Sequence, residues 1–263
     1  MAPKNPIVIS HPKSGRTWLR YIFHLTGLAV DFDHAGTHSN GRHVGRSFRG
    51  LVFDRALVDE RKTIFLYRNP LDTAVSLFMQ MHKREVPYFG RQEALRLFVS
   101  GRYPPSNIAK FILSPRYGVE KICAFNLGWF RLLAKNENAK IVSYEELHAE
   151  PGRVITDLIA FLKPDLLNSV DIPGLVEKTS FEQMRKIEQA ENEELRLAWT
   201  NLDDPESYKV RRGEVGGHRR YLDEETIRSA QGILRRHGYD EAVSGFRTRA
   251  NSGSIVDGSG ARV

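Results

Sequence analysis

The sequence has one cysteine, Cys123, in a chain of 263 residues. A single cysteine excludes an intrachain disulfide and leaves no CxxC pair for a redox or zinc site. Its neighbours are apolar, so we expect a buried packing residue rather than a nucleophile. The chain also lacks an HExxH motif and a Cys/His cluster, so the sequence predicts no bound metal.

No segment of the sequence reaches the ~18 consecutive apolar residues that a membrane-spanning helix requires. Residues 1–5 lead directly into a short apolar segment, without the long apolar run and small-residue cleavage site of a signal peptide. We therefore expect a cytoplasmic protein without a transmembrane segment.

The charged residues favour the basic side, with 39 Lys and Arg, 32 Asp and Glu, and a formal net charge of +7. This balance favours an anionic partner, such as a nucleotide, a sulfated or carboxylated glycan, nucleic acid or an anionic membrane surface. Charge alone does not choose among these partners, and the sequence does not indicate an oligomeric state.

The length allows one large α/β domain or two small ones. Residues 247–263 are rich in Ser, Gly and Arg and have almost no apolar residues, which is typical of a disordered tail. We expect a single α/β domain over residues 1–246, followed by that tail.

Three short apolar segments have the pattern of buried strands: residues 7–9, 62–67 and 139–144. A turn and a helical pattern follow each of them. This order predicts an α/β fold of three layers, like that of P-loop proteins, in which helices flank a central parallel sheet. Ligands of such folds bind at the carboxyl ends of the strands, where Lys13, Arg68 and Tyr144 fall in the sequence.

The turn after the first strand has the composition of an anion site. A helix follows it, and the first backbone N–H groups of a helix are unpaired and carry partial positive charge. Gly15 permits close approach of an anion, Lys13 adds a full charge, and Ser14 and Thr17 offer hydroxyl groups. The nucleoside triphosphate motif Gly-x4-Gly-Lys-Ser/Thr is absent, because Lys13 precedes the only glycine of the turn.

Five separated phrases resemble the sulfotransferase family that uses 3'-phosphoadenosine 5'-phosphosulfate (PAPS) as donor. They are PKSGRTW at residues 12–18, RNPLDTAVS at 68–76, YEEL at 144–147, TSFEQM at 179–184 and RRGEVGGHR at 211–219. The phrases follow the order of the family and span about residues 6–222. The last one departs from the family pattern, which has Asp-Trp-Lys where this chain has Gly-His-Arg.

The resemblance implies a cofactor site for PAPS, which is released as 3',5'-ADP. In the family, the first phrase holds the 5' end of the donor, the Arg and Ser of the second bind its 3'-phosphate, and the Tyr, Thr and Phe of the next two contact adenine. The Arg and Gly of the last phrase also reach the 3'-phosphate. The corresponding residues here are Lys13, Ser14, Gly15, Arg16, Thr17, Trp18, Arg68, Ser76, Tyr144, Thr179, Phe181, Arg211, Arg212 and Gly213.

The resemblance also implies an in-line sulfuryl transfer to a hydroxyl or amine of an acceptor. A His just past the second strand takes the acceptor proton in the family, and His34 is our first choice for this base, with His38 second. Lys13 would stabilise the leaving phosphate. Because a neutral imidazole is required, activity should fall below a pH near ~6.5.

Two other functions fit parts of the sequence: an ATP-dependent P-loop kinase, and a non-catalytic binder of anionic glycan or nucleic acid. The sequence lacks the Gly-Lys-Ser/Thr motif that a P-loop kinase requires. A nucleic-acid surface would need aromatic residues between its basic ones, and only Tyr221 qualifies, so we expect no nucleic-acid partner. The acceptor stays open between a small molecule, a glycan and a lipid, and residues 83–118 are the expected wall of its pocket.

Overall fold

The computed structural model describes residues 4–34, 51, 53–83, 91–190 and 203–252. In this part of the chain, four parallel strands form one sheet in the order β2-β1-β3-β4. The strands are Ile7–Ser10 (β1), Asp31–Asp33 (β2), Thr63–Tyr67 (β3) and Ala139–Ser143 (β4). The predicted parallel sheet is therefore confirmed, with β2 added as a short edge strand.

The helices that follow these strands cover both faces of the sheet. They are α1 (Arg16–Leu25), α2 (Pro70–His82), α3 (Arg91–Val99), α4 (Ile108–Ile112), α5 (Val119–Leu133), α6 (Tyr144–Ala149), α7 (Pro151–Leu162), α8 (Ile172–Lys178), α9 (Phe181–Gln189), α10 (Glu224–Arg236) and α11 (Tyr239–Ser252). Short 3-10 helices occur at Arg55–Leu57, Pro164–Asn168, Pro205–Ser207 and Gly217–Arg220.

Alternation along the strands divides the core into two layers. Successive strand residues point to opposite faces of a sheet, and in β3 Phe65 packs with α2, α5 and α10 whereas Ile64 and Leu66 pack with α1 and α7. These three side chains are fully buried, and each contributes roughly 1.5–3 kcal/mol. The predicted three-layer α/β fold is therefore present.

Cys123 lies in α5 and is fully buried, as the sequence predicts. Burial raises the pKa of its thiol to about 12, so the group stays protonated at neutral pH. A protonated and inaccessible thiol is a poor nucleophile.

Local signals place the start of α2 directly after β3. Asn69 caps the helix by accepting hydrogen bonds from the N–H groups of Leu71 and Asp72, and Pro70 occupies the first helical position. This arrangement brings the polar residues after β3 to the carboxyl edge of the sheet, beside the turn that follows β1.

Helix α11 extends to Ser252, six residues past the domain boundary predicted at residue 246, and residues 253–263 lie outside the described part.

Among the described residues, no helix has the length and apolar character needed to span a membrane.

Candidate nucleotide site

The turn between β1 and α1 is built for close approach of a ligand. Gly15 is the N-cap of α1, has a φ of 99°, and offers no side chain to cap the helix. Lys13 also has a positive φ, 73°, a strained conformation that occurs often at functional sites. The Lys13 ammonium donates to Oε1 of Gln80 on α2 at 3.1 Å. Arg16 and Thr17 form the first turn of α1.

Tyr144 joins this turn to the other predicted site residues. A Cβ atom on Gly15 would lie 2.6 Å from Cδ2 of Tyr144, so only glycine fits against the ring. Trp18 meets the same ring edge-on, with centroids 5.9 Å apart. The guanidinium of Arg68 lies over it at 4.2 Å, and the Tyr144 hydroxyl donates to the carbonyl of Gly213 at 3.2 Å.

Arg68 lies just past β3 and reaches the last predicted phrase as well. Its Nη2 donates to the carbonyl of Glu214 at 2.9 Å. Next to it, Oε1 of Glu145 accepts the N–H of Asn69 at 2.9 Å. Burial raises the pKa of Glu145, against the opposing effect of this hydrogen bond and of the Arg68 charge.

The segment of residues 209–221, here called the C-terminal loop, is held at its start by α9. The buried carboxylate of Glu188 accepts the N–H groups of Lys209 and Val210, both at 2.6 Å. Arg185 donates to the carbonyl of Arg211 at 2.7 Å. The loop therefore begins at a fixed place although it has no regular secondary structure there.

Arg211 and Arg212 face a carboxylate within the same region. Glu206 accepts from Nη1 of Arg211 at 2.9 Å and from Nη2 of Arg212 at 2.8 Å, and both guanidinium groups also donate to the hydroxyl of Tyr221. Burial acts to raise the pKa of Glu206, but the hydrogen bonds from Tyr221 and the two arginines outweigh it and lower that pKa. The structure thus pairs these arginines with an acid that the sequence analysis did not identify.

Phe181 contacts the C-terminal loop at Gly213, and Thr179 lies just before Phe181, at the end of α8. A Cβ atom on Gly213 would lie 2.5 Å from Cδ2 of Phe181, and Gly213 has a φ of 65°. Phe181 is 40% exposed, which leaves ring surface for a ligand. Thr179 is buried, and its hydroxyl donates to the carbonyl of Leu175 at 2.8 Å, so this hydroxyl already has a partner.

His34 follows β2 at the same edge of the sheet. Its Nδ1 lies 2.7 Å from the carbonyl oxygen of Ser10, the last residue of β1. Because a carbonyl only accepts, Nδ1 carries the hydrogen, and in the neutral ring Nε2 then carries the lone pair. His38, the second choice, lies outside the described residues.

Asp72 is a site residue that the sequence analysis missed. It lies on α2, one helical turn before the half-buried Ser76, so both share one face of the helix. The Asp72 carboxylate accepts the backbone N–H groups of Gly216 and His218 and the Nδ1–H of His218. The sequence hides this role, because an acidic residue in the first turn of a helix is explained by the helix dipole alone.

The residues present fit a phosphorylated nucleotide. Several buried polar atoms near the carboxyl edge have no hydrogen-bond partner among the described residues, including Oγ of Ser14, Nε1 of Trp18 and Nε of Arg68. Buried polar atoms ordinarily have partners, and an anion with several oxygens would supply them. Tyr144 and Phe181 both contact Gly213, and the exposed part of the Phe181 ring offers apolar surface for a base.

Comparison with known proteins identifies the family and the fold. The model of the sulfotransferase domain family matches residues 50–246, a span that contains Arg68, Tyr144 and the C-terminal loop but not the turn after β1. The fold is similar to mouse sulfotransferase SULT7A1 complexed with PAP, at 17% identity and a TM-score of 0.61, over 90% of this chain and 85% of that one. It is also similar to retinol dehydratase in complex with androsterone and inactive cofactor PAP, at 14% identity and a TM-score of 0.57, over 91% of this chain and 82% of that one.

Proposed function

Since the chain belongs to the sulfotransferase domain family, we propose that it transfers a sulfuryl group from PAPS to a hydroxyl or amine of an acceptor. The observation that carries the proposal is the position of Tyr144. This one ring contacts the turn after β1, the Arg68 side chain and the C-terminal loop. The segments proposed to bind the 5' and 3' ends of the nucleotide therefore meet at one residue.

We assign the ends of the nucleotide as follows. The helix N-terminus at Gly15 and the residues Lys13–Thr17 bind the 5' end, where N–H groups and the helix dipole favour an anion. Arg68, Ser76 and the 211–213 segment bind the 3'-phosphate, for which a planar guanidinium is well suited. Tyr144, Phe181 and Trp18 contact the base.

In the proposed reaction, His34 accepts the proton of the acceptor at Nε2. The hydrogen bond from its Nδ1 to Ser10 fixes the tautomer and the ring orientation. Lys13 neutralises the negative charge that develops on the phosphate oxygen as the bond to sulfur breaks. A preorganised charge of this kind is worth roughly 3–4 kcal/mol of transition-state stabilisation.

The Glu206 pairing bears on Arg211 and Arg212. Two guanidinium groups that share one carboxylate keep a net positive charge of one, so the pair still attracts a phosphate. A bound 3'-phosphate then competes with the Glu206 carboxylate for the guanidinium N–H groups of Arg211 and Arg212. We therefore propose Arg68 as the stronger of the phosphate ligands, since Nε of Arg68 has no partner among the described residues.

The acceptor is proposed only by its reacting group. A small molecule, a glycan or a lipid with a nucleophilic hydroxyl or amine fits the chemistry, and the cytoplasmic location remains a prediction from the sequence. A screen of such acceptors with labelled PAPS identifies the class.

Thermal shift tests the donor site without knowledge of the acceptor. Ligand at a hundredfold excess over its Kd stabilises the folded state by about 2.7 kcal/mol, so 3',5'-ADP should raise the Tm by several degrees and ATP should not. A rise with ATP and Mg²⁺ alone would favour the kinase. No rise with either nucleotide, with salt-sensitive binding of polyanions, would favour the non-catalytic binder.

A further inference from the structure

The C-terminal loop is fixed to α2 by a single buried carboxylate. We propose that Asp72, with His218 as its partner, is a positioning residue that sets the preference of this site for nucleotides with a 3'-phosphate. The inference rests on the proposed function, because it concerns the same nucleotide. It adds residues outside the set that contacts the ligand.

Both oxygens of Asp72 are used by the loop. Oδ2 accepts the N–H of Gly216 at 2.7 Å, and Oδ1 accepts the N–H and the Nδ1–H of His218 at 2.9 and 2.7 Å. Asp72 is 3% exposed and His218 is 6% exposed. Three hydrogen bonds to one buried acid fix the position of the loop and the orientation of the imidazole ring.

The charge of Asp72 makes these contacts strong. Burial alone would raise its pKa, but the hydrogen bond from His218 and the positive charge of Arg68 outweigh burial and lower the pKa. Asp72 is therefore ionised at neutral pH. Hydrogen bonds to an ionised acceptor are about twice as strong as those between neutral groups.

The place of this contact links the two halves of the proposed 3'-phosphate site. Arg68 donates to the carbonyl of Glu214 and Asp72 accepts from Gly216, so the segment from β3 to α2 holds the loop at two neighbouring points. Ser76 lies one helical turn beyond Asp72. The position of Arg68, whose partner Glu214 lies two residues before Gly216, therefore depends on Asp72.

A second set of contacts holds the beginning of the loop and does not involve α2. Glu188 and Arg185 of α9 bind the backbone at residues 209–211. Loss of the Asp72 contact should thus release the middle of the loop while its beginning stays attached. The expected result is a local displacement of Arg68 at the 3'-phosphate, with the 5' end of the site unchanged.

The experiment measures Kd by calorimetry for 3',5'-ADP and for 5'-AMP, which lacks only the 3'-phosphate. The variants are Asp72→Asn, whose amide nitrogen cannot accept from the loop, and His218→Ala, which keeps both backbone hydrogen bonds. Asp171→Asn is the matched control, because Asp171 also accepts a backbone N–H, from Gly174 at the start of α8.

We expect Asp72→Asn to reduce the preference for 3',5'-ADP over 5'-AMP by about tenfold, the scale of a lost hydrogen bond to a charged group. His218→Ala should reduce it by a smaller factor, and Asp171→Asn should leave it unchanged. The affinity for 5'-AMP should stay within about twofold in all three variants, since the 5' end of the site is untouched.

Three results would contradict the inference. If Asp72→Asn leaves the preference for 3',5'-ADP over 5'-AMP unchanged, whether or not both affinities fall, Asp72 supports only the fold and the inference is wrong. If the wild-type protein binds 5'-AMP as tightly as 3',5'-ADP, the proposed function fails and takes the inference with it. Should Asp72→Asn not fold, His218→Ala decides, and an unchanged preference there overturns the inference.

Discussion

Replacement of Gly15 by alanine tests whether the turn after β1 and Tyr144 act together. Two costs arise at this position. An alanine at a φ of 99° occupies the left-handed region, which costs roughly 1–2 kcal/mol. Its Cβ atom would also lie 2.6 Å from the Tyr144 ring, a contact that is too short to persist.

The second cost depends on how far Tyr144 can move. Its hydroxyl is bound to Gly213 and its face is covered by Arg68, so a shift of the ring disturbs the C-terminal loop as well. Overpacking of this kind costs about 1–3 kcal/mol. We therefore expect Gly15→Ala to lower the free energy of unfolding by roughly 2–5 kcal/mol in all.

Gly27→Ala is the matched control for the backbone cost alone. Gly27 has a φ of 66°, and nothing lies within 4 Å of the added Cβ atom. This variant should lose about 1 kcal/mol of stability, measured by urea unfolding, and should keep its affinity for 3',5'-ADP. Gly15→Ala should lose about tenfold or more of that affinity, which corresponds to 1.4 kcal/mol.

The double variant Gly15→Ala/Tyr144→Ala adds a coupling measurement. If the ring is the obstacle, the cost of alanine at position 15 should shrink once the ring is gone. Equal stability and equal nucleotide affinity of Gly15→Ala and Gly27→Ala would refute the described contact between the turn and Tyr144.

Three further predictions follow from the same structure. Lys13→Ala should reduce turnover by about a hundredfold or more with little change in Tm. Lys13→Gly should be equally inactive but at least as stable, because glycine tolerates the φ of 73°. Wild-type turnover in either variant would contradict the proposed role of Lys13 in stabilising the leaving phosphate. His34→Ala should lose a factor of about 10²–10⁴ in turnover with 3',5'-ADP affinity intact, whereas the exposed His24→Ala should be unaffected. Burial lowers the pKa of His11 to about 4, so between pH 6.5 and 4 this histidine binds a proton in the unfolded chain but not in the folded one. The free energy of unfolding should therefore fall by about 2 kcal/mol between pH 7.5 and 5. Urea titrations at several pH values should show that His11→Gln lacks this part of the decline.

Much of the fold was predictable because buried parallel strands are continuous apolar segments. The predicted segments 7–9, 62–67 and 139–144 correspond to β1, β3 and β4. β2 was harder, because its three residues include two aspartates and lie at the sheet edge. The bounds of α7 are also visible in the sequence, since Pro151 marks its first residue and its apolar face is regular.

Helix α11 departs from the prediction for a physical reason. Gly238, with a φ of 62°, follows the end of α10, and the chain turns directly into another helix. The Tyr239 hydroxyl accepts a hydrogen bond from Asn126 inside the core, and burial acts to raise its pKa. Tertiary packing of one residue therefore stabilises a helix that its polar sequence does not indicate.

Some residues of the candidate site could be predicted from the sequence, and others could not. Lys13, Arg68 and Tyr144 could be located because each follows a strand, and chains of this class collect such residues at one edge of the sheet. Asp72, Glu188 and Glu206 could not, because their partners are backbone groups and arginines of an irregular loop. No periodicity relates residues 72 and 216, so only the folded structure reveals their contact.

The most direct test of the account is a crystal structure with 3',5'-ADP bound. We expect the 5'-phosphate at the N–H groups of residues 14–17, the 3'-phosphate within hydrogen-bond distance of Arg68, and the adenine against Tyr144. A complex in which the two phosphates of one nucleotide do not reach these two groups together would contradict the proposed site.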